Sequence, residues 1–183
     1  TYHGIFPEEG RSPYIHEYPG YNFQMSGLQA ALLIPQIKKL PKRFEKRYRN
    51  GVYLKRKIEE IPGLKVASPS EKGTSNFYMF EILYDKSHFS NISREDIINL
   101  MQQEGLPILE ANIIESPIYK NPSLCAYNKG PCPIAESVYN RLIILGHYLR
   151  STLLEAEIET LDLVVERIKR VKDIANSTSY NRV

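Results

Sequence analysis

The stretch that decides the reading of this chain is Pro19-Gly-Tyr-Asn-Phe-Gln-Met-Ser-Gly-Leu-Gln-Ala-Ala-Leu32. Gly20 permits a backbone bend that a residue with a Cβ resists. Ser26 and Gln29 stand at capping-box spacing: the serine hydroxyl accepts from the Gln29 amide while the glutamine side chain reaches back to the serine amide. A helix is expected to begin there. Asn22 lies just upstream, on a short loop whose far end the helix anchors. Its carboxamide is thereby offered in a fixed orientation, either to a ligand or to the turn itself.

Downstream, Leu28, Ala31, Leu32, Ile34 and Ile37 follow helical spacing, and Pro35 predicts a kink. Pro41 suits the first turn of a second helix running to about Glu60. That second helix is strongly basic, with Lys38, Lys39, Lys42, Arg43, Lys46, Arg47, Arg49, Lys55, Arg56 and Lys57 opposed by Glu45. Phe44, Tyr48, Val52, Leu54 and Ile58 are expected to form its packing stripe. Gly63 closes this region. Strands are expected at Leu64 to Val66, Asn76 to Leu83, Leu106 to Ile114 and Ile143 to Leu145. Ser93 and Asp96 predict a helix start, with Gly105 at its C′ position. A long Pro- and Asn-punctuated loop spans Ser116 to Cys132, followed by a short helix over Ile134 to Leu142 and a turn at Gly146-His147-Tyr148. The last helix is expected from about Leu154 to Ala175, with Glu155, Glu157 and Glu159 in its first turns and Lys169, Arg170 and Lys172 in its last, complementing the dipole.

This order predicts an α+β fold: a short, mainly antiparallel sheet with helices packed on one side, preceded by a long kinked helix. Four segments are expected: residues 1–25 as an aromatic-rich loop or hairpin arm, 26–60 as connecting helices, 61–175 as a small α+β domain and 176–183 as a frayed tail.

The chain has 183 residues, 42% of them hydrophobic, and a formal net charge of +3. One sizeable core fits that length. The charge is too mild to demand nucleic acid or an anionic membrane, and no run approaches the roughly 20 apolar residues that span a bilayer. Thr1 to Gly10 lack a signal-peptide apolar region, and the chain opens without methionine, which suggests a fragment or processed product. Cys125 and Cys132 are the two cysteines, too few for a disulfide framework and not spaced as a zinc knuckle, so the cytoplasm is the expected compartment and no metal is assigned.

The opening stretch resembles the signature Gly-Tyr-Asn-(aromatic)-Arg-Met-(Ser/Thr)-x-(hydrophobic)-Gln-Ala-Ala of the DegT/StrS-type aminotransferases, and the likeness runs from His3-Gly4 to about Lys172. The resemblance implies the small C-terminal domain of a fold-type-I, pyridoxal 5′-phosphate enzyme that moves an amino group from Glu or Gln to a keto-sugar or cyclitol. It implies that Asn22 holds the cofactor phosphate of the other subunit. Gln24 stands beside it where the family pattern carries arginine, which removes a positive charge. His147, in a Leu-x-His stretch before the last helix, Tyr119, in the loop Ser116-Pro-Ile-Tyr-Lys-Asn-Pro122, and His3 are implied as substrate-side residues, with surface or packing roles as their alternatives. Ile118 replaces a histidine of many keto-sugar enzymes and leans toward the branch acting on cyclitols or antibiotic sugars. The lysine that carries the cofactor lies upstream of the motif in this family. No catalytic residue is therefore assigned in this chain, the cofactor is expected to bind only with an N-terminal portion, and the chain alone is expected to be inactive. The implied partner is a homodimer mate or a complementary N-terminal domain. A reading of another class is a non-catalytic module using the basic helix, residues 38–57, to bind an acidic partner or RNA.

Overall fold

A computed structural model describes residues 25–67, 73–109, 131–146 and 153–177. The chain divides into two compact units, Thr1–Lys42 and Arg43–Val183. The first helix begins where the capping box predicted one. Helix α1 runs without a break over Gly27–Glu59, with Pro35 and Pro41 inside it, so Pro41 does not open a second helix as the sequence suggested. Each proline removes an amide donor from the ladder, at the carbonyls of Ala31 and Ile37. Both residues are exposed, so water can serve those carbonyls and the helix need not stop.

In the second unit, strands β1 (Leu64–Val66), β2 (Phe80–Tyr84), β3 (Ile108–Leu109) and β4 (Leu142–Leu145) form a sheet of order β1-β2-β4-β3. Every pairing is antiparallel. Register places Val66, Ile82 and Ile143 opposite one another, and likewise Phe80, Leu145 and Ile108. Since paired residues share a face, one face carries Leu64, Val66, Phe80, Ile82, Tyr84, Ile108, Ile143 and Leu145, all of them in the core. The same core takes Leu54 and Ile58 from α1, Ile97, Leu100 and Met101 from α2 (Arg94–Gln103), and Leu161, Val165, Ile168 and Val171 from α4 (Ile158–Asn176). Lys65 lies on the opposite face and is exposed.

Local signals account for several of these elements. Ser93 caps α2, its Oγ accepting from the Asp96 amide at 3.1 Å. Gly105 follows that helix at φ +72 and donates to Gln102 O at 2.9 Å, the left-handed terminus its sequence position predicted. Gly63 turns at φ +92, where an added Cβ would lie 2.6 Å from the His88 Cβ.

Other expectations change. Asn76 to Met79 are not strand. The Phe77 amide donates to Ser75 Oγ at 2.9 Å, the Tyr78 amide to Asn76 Oδ1 at 3.0 Å, and Phe77 adopts φ +47. Short side-chain acceptors have taken the amides that a ladder would need. The predicted stripe on α1 also divides: Leu54 and Ile58 are buried, but Phe44, Tyr48 and Val52 are exposed. Asn50 and Gly51 occupy the buried positions one and two turns earlier. Helix α3 is confined to Pro133–Tyr139. Helix α4 starts at Ile158 after a 3₁₀ turn at Leu153–Glu155, and no basic residue falls in its last turn. Glu155 and Glu157 therefore precede the helix; they form ion pairs with α1 instead.

Candidate functional site

Asn22, Gln24, His3, Tyr119 and His147 lie outside the described residues, as do His16, Ile118 and Cys125. The described residues nearest in sequence to Asn22 and His147 show how the chain is held there. Nearest to Asn22, the Ser26 amide donates to Gln29 Oε1 at 2.9 Å and the Gln29 amide to Ser26 Oγ at 3.3 Å. This is the reciprocal capping pair that the sequence predicted. It satisfies an orphan amide at the start of α1 and sets where the preceding chain enters.

On either side of the stretch 147–152 the described chain is held. Gly146, just before it, is buried, adopts φ +83 and donates to Pro107 O at 2.6 Å. Beyond it, the corner at residues 153–157 is bound to α1. Asn50 Nδ2 donates to Leu154 O at 2.9 Å and to Ala156 O at 3.0 Å. Arg43 meets Glu155 in a two-pronged contact at 3.1 Å for each nitrogen, and Arg47 adds a contact at 3.5 Å to the same carboxylate. Arg47 also donates to Phe77 O at 2.8 Å, and Lys46 pairs with Glu157 at 2.7 Å. Lys46 holds the Glu157 carboxyl below its usual range, through a hydrogen bond and its charge. In sequence, the stretch that contains Tyr119 follows β3 and precedes α3. The paired strands β3 and β4 run antiparallel, so the chain leaves Leu109 and Leu145 in opposite directions.

Sequence reading missed Asn50, Arg47 and Glu155 as members of this corner. An apolar-periodicity search passes over them because the inward positions of α1 there are polar or small. The usable signal was spacing: Arg47, Gly51, Leu54 and Ile58 follow three- and four-residue steps.

The basic stretch of α1 is largely engaged within the chain. Besides Arg43, Lys46 and Arg47, Lys55 pairs with Glu59 and Lys57 with Glu60, and Arg56 lies over the Tyr53 ring. These contacts disfavour a surface evolved for an RNA backbone. His88, the described histidine, is exposed on a 3₁₀ turn. Cys132 is an exposed free thiol. Among the described residues no three His, Cys, Asp or Glu side chains converge on a metal position, and no helix is long and apolar enough to cross a membrane.

For a cofactor carried on a lysine amine, the described residues do not fit. No described lysine is buried, and a lysine amine that carries such a cofactor is held in a desolvated pocket. What they do provide is an anchored helix start beside the motif and a braced corner beside the His147 stretch.

The model of the DegT/DnrJ/EryC1/StrS aminotransferase family matches residues 1–169. A GDP-4-keto-6-deoxy-D-mannose 3-dehydratase of Escherichia coli O55:H7 is 29% identical over 101 residues, covering 54% of this chain and 25% of that protein. The lipopolysaccharide biosynthesis protein RfbH of Salmonella typhimurium is 24% identical over 170 residues, covering 91% of this chain and 37% of that protein. The chain thus spans well under half the length of these curated relatives. In fold it is similar to Helicobacter pylori PseC, an aminotransferase of pseudoaminic acid biosynthesis, with TM-score 0.69, 21% identity, and 94% and 44% of the two chains covered. A Brucella abortus aminotransferase of the same family gives TM-score 0.69 at 19% identity, covering 96% and 42%. With the family model matched over residues 1–169 and a fold similar to those of solved aminotransferases, the chain belongs to the DegT/DnrJ/EryC1/StrS aminotransferase family.

Proposed function

We propose that this chain is the C-terminal portion of a cytoplasmic, pyridoxal-phosphate-dependent enzyme that transfers an amino group from Glu or Gln to a keto-sugar or cyclitol. In this reading α1 bends at Pro35 and links the active-site arm to the small domain. Asn22 donates to the cofactor phosphate of a partner subunit, with Gln24 beside it as an uncharged second donor. The cofactor, when bound, supplies the electron sink for moving the amino group. The lysine that carries it belongs to a portion outside this chain. His147, Tyr119 and His3 line the substrate side, donating to hydroxyls or to the donor carboxylate.

The observation that supports this reading best is the reciprocal Ser26–Gln29 pair, because it fixes the helix start that follows the Asn22 motif in sequence. The braced corner at residues 153–157 supports it on the substrate side. The curated relatives' names, which refer to a keto-sugar nucleotide and to lipopolysaccharide biosynthesis, support the substrate class. Because a matched relative is named a dehydratase, loss of a sugar hydroxyl is the second reaction to assay.

The test is co-expression with a family N-terminal portion, followed by assay of amino transfer from Glu or Gln to nucleotide-linked keto-sugars. The reading expects cofactor colour and product only when both polypeptides are present. Turnover by this chain alone, or none with any keto-sugar or cyclitol when the assembly is coloured, contradicts it.

A further inference from the structure

A cavity of about 530 Å³ opens beside the start of β2. It is lined by Thr74, Ser75, Asn76 and Met79 from the stretch before that strand, by Glu81 within it and by Phe44 from α1. The volume suits a ligand the size of a substituted sugar ring.

Among the described residues that line the cavity, Glu81 alone is charged. It is half-buried on the sheet face away from the core, and among the described residues its carboxylate has neither an ion pair nor a hydrogen bond. Lys65, on the same face of the neighbouring strand, does not pair with it. A carboxylate that has lost part of its water gains from a cation, whereas a lining without a cation repels phosphate and carboxylate. The fitting ligand therefore brings an ammonium and no anionic group into the cavity.

The neutral groups narrow the class further. Ser75 Oγ accepts from the Phe77 amide at 2.9 Å and Asn76 Oδ1 from the Tyr78 amide at 3.0 Å. These bonds hold both side chains in place, yet leave the Ser75 hydroxyl hydrogen and the Asn76 Nδ2 hydrogens to donate outward. Phe44 adds an aromatic wall, 43% exposed and stacked on Tyr48 with 6.4 Å between centroids and 14° between planes. Its face suits the C–H bonds of a saturated ring and a nearby cation. A simple alkylamine would use Glu81 and leave the serine and asparagine donors idle.

We propose that this cavity binds an amino sugar, with its ammonium on Glu81, its hydroxyls accepting from Ser75 and Asn76, and its ring packed on Phe44. The amino transfer proposed above would create such an amine, and that link to a product rests on that reading. The binding itself is a property of this chain.

The experiment titrates the chain with glucosamine and follows backbone amide chemical shifts, with glucose and methylamine as controls. Shifts are expected within residues 74–81, with a dissociation constant on the order of 1 mM. Glucose, which lacks the charge, and methylamine, which lacks the ring, should each bind at least about tenfold more weakly. Glu81→Gln, of the same shape, should abolish the preference for glucosamine over glucose. Phe44→Leu should weaken both sugars about threefold. The preference is a ratio within one variant, so it is read from whatever folded fraction is present. The proposal is overturned if about 10 mM glucosamine shifts no amide of residues 74–81, if glucose or methylamine binds as well, or if Glu81→Gln keeps the preference. Cofactor colour and turnover play no part in this titration, so its failure leaves the transfer reading standing, and failed transfer in the assembly leaves the sugar site standing.

Discussion

The ring of Phe77 occupies the space that a side chain at Gly51 would need: a Cβ built on Gly51 lies 2.3 Å from Phe77 Cδ2. Phe77 cannot easily retreat. Its carbonyl is held by Arg47, its amide by Ser75, and its ring stacks 5.9 Å from that of Phe80. Two effects then compete in Gly51→Ala. Helix propensity favours alanine by about 1 kcal/mol, whereas overpacking costs about 1–3 kcal/mol, and more where neighbours cannot move. We expect overpacking to win, with a net loss of about 2 kcal/mol by urea unfolding. In a Phe77→Leu background the same change should cost less, because the obstructing ring is gone.

Asn50 is the buried polar residue of the α1 joint, and its one amide group serves two carbonyls. Asn50→Leu keeps the branched shape with a somewhat larger side chain and removes both donors, leaving Leu154 O and Ala156 O without the bonds they accept. The expected loss is about 2–4 kcal/mol. Hydrogen exchange should quicken at residues 153–157 beyond the global change, as a local role at that corner requires.

The Ser26–Gln29 pair is exposed and lies at a helix end. Ser26→Ala should cost about 1 kcal/mol of local helix stability with little change in the global midpoint. The measurement is amide exchange in the first turn of α1, where protection should fall while α2 and α4 are unaffected.

Tyr84 is buried and donates to Ile92 O at 3.1 Å. Burial, reinforced by the nearby carboxylates of Asp85 and Asp96, raises its phenol well above the ordinary value of 10.0. Above that value the unfolded phenol loses its proton while the folded one retains it, so the folded state binds more protons and stability falls as pH rises. Tyr53, hydrogen-bonded to Asp162, is raised in the same direction. Tyr84→Phe should cost about 1 kcal/mol near neutrality through its lost hydrogen bond. Above pH 10 its stability should decline less steeply than that of the parent, as measured by urea midpoints across the alkaline range.

What the sequence made legible was local chemistry. Ser26 with Gln29, Ser93 with Asp96, and Gly105 as a helix terminus each act within a few residues, and each is found where spacing placed it. Less legible were features decided by distant neighbours. Glu155 and Glu157 read as helix-dipole partners until α1 is seen to bring Arg43, Arg47 and Lys46 to them. Phe77 read as strand because aromatic residues favour strands, yet Ser75, Asn76 and Arg47 bind its surroundings into a bend. The inward face of α1 escaped notice because Asn50 and Gly51 carry no apolar signal. The motif containing Asn22 was legible as a family pattern, while the role of each of its residues rests on the proposed function.

The most direct measurement is pyridoxal phosphate affinity in the assembly of this chain with its complementary portion, for the parent and for Asn22→Ala. A hydrogen bond to a charged phosphate contributes about 1.5 kcal/mol or more, so the dissociation constant should rise about tenfold and the cofactor's phosphorus resonance should shift. An unchanged constant and an unmoved resonance would contradict the account, because Asn22 would then have no hold on the phosphate.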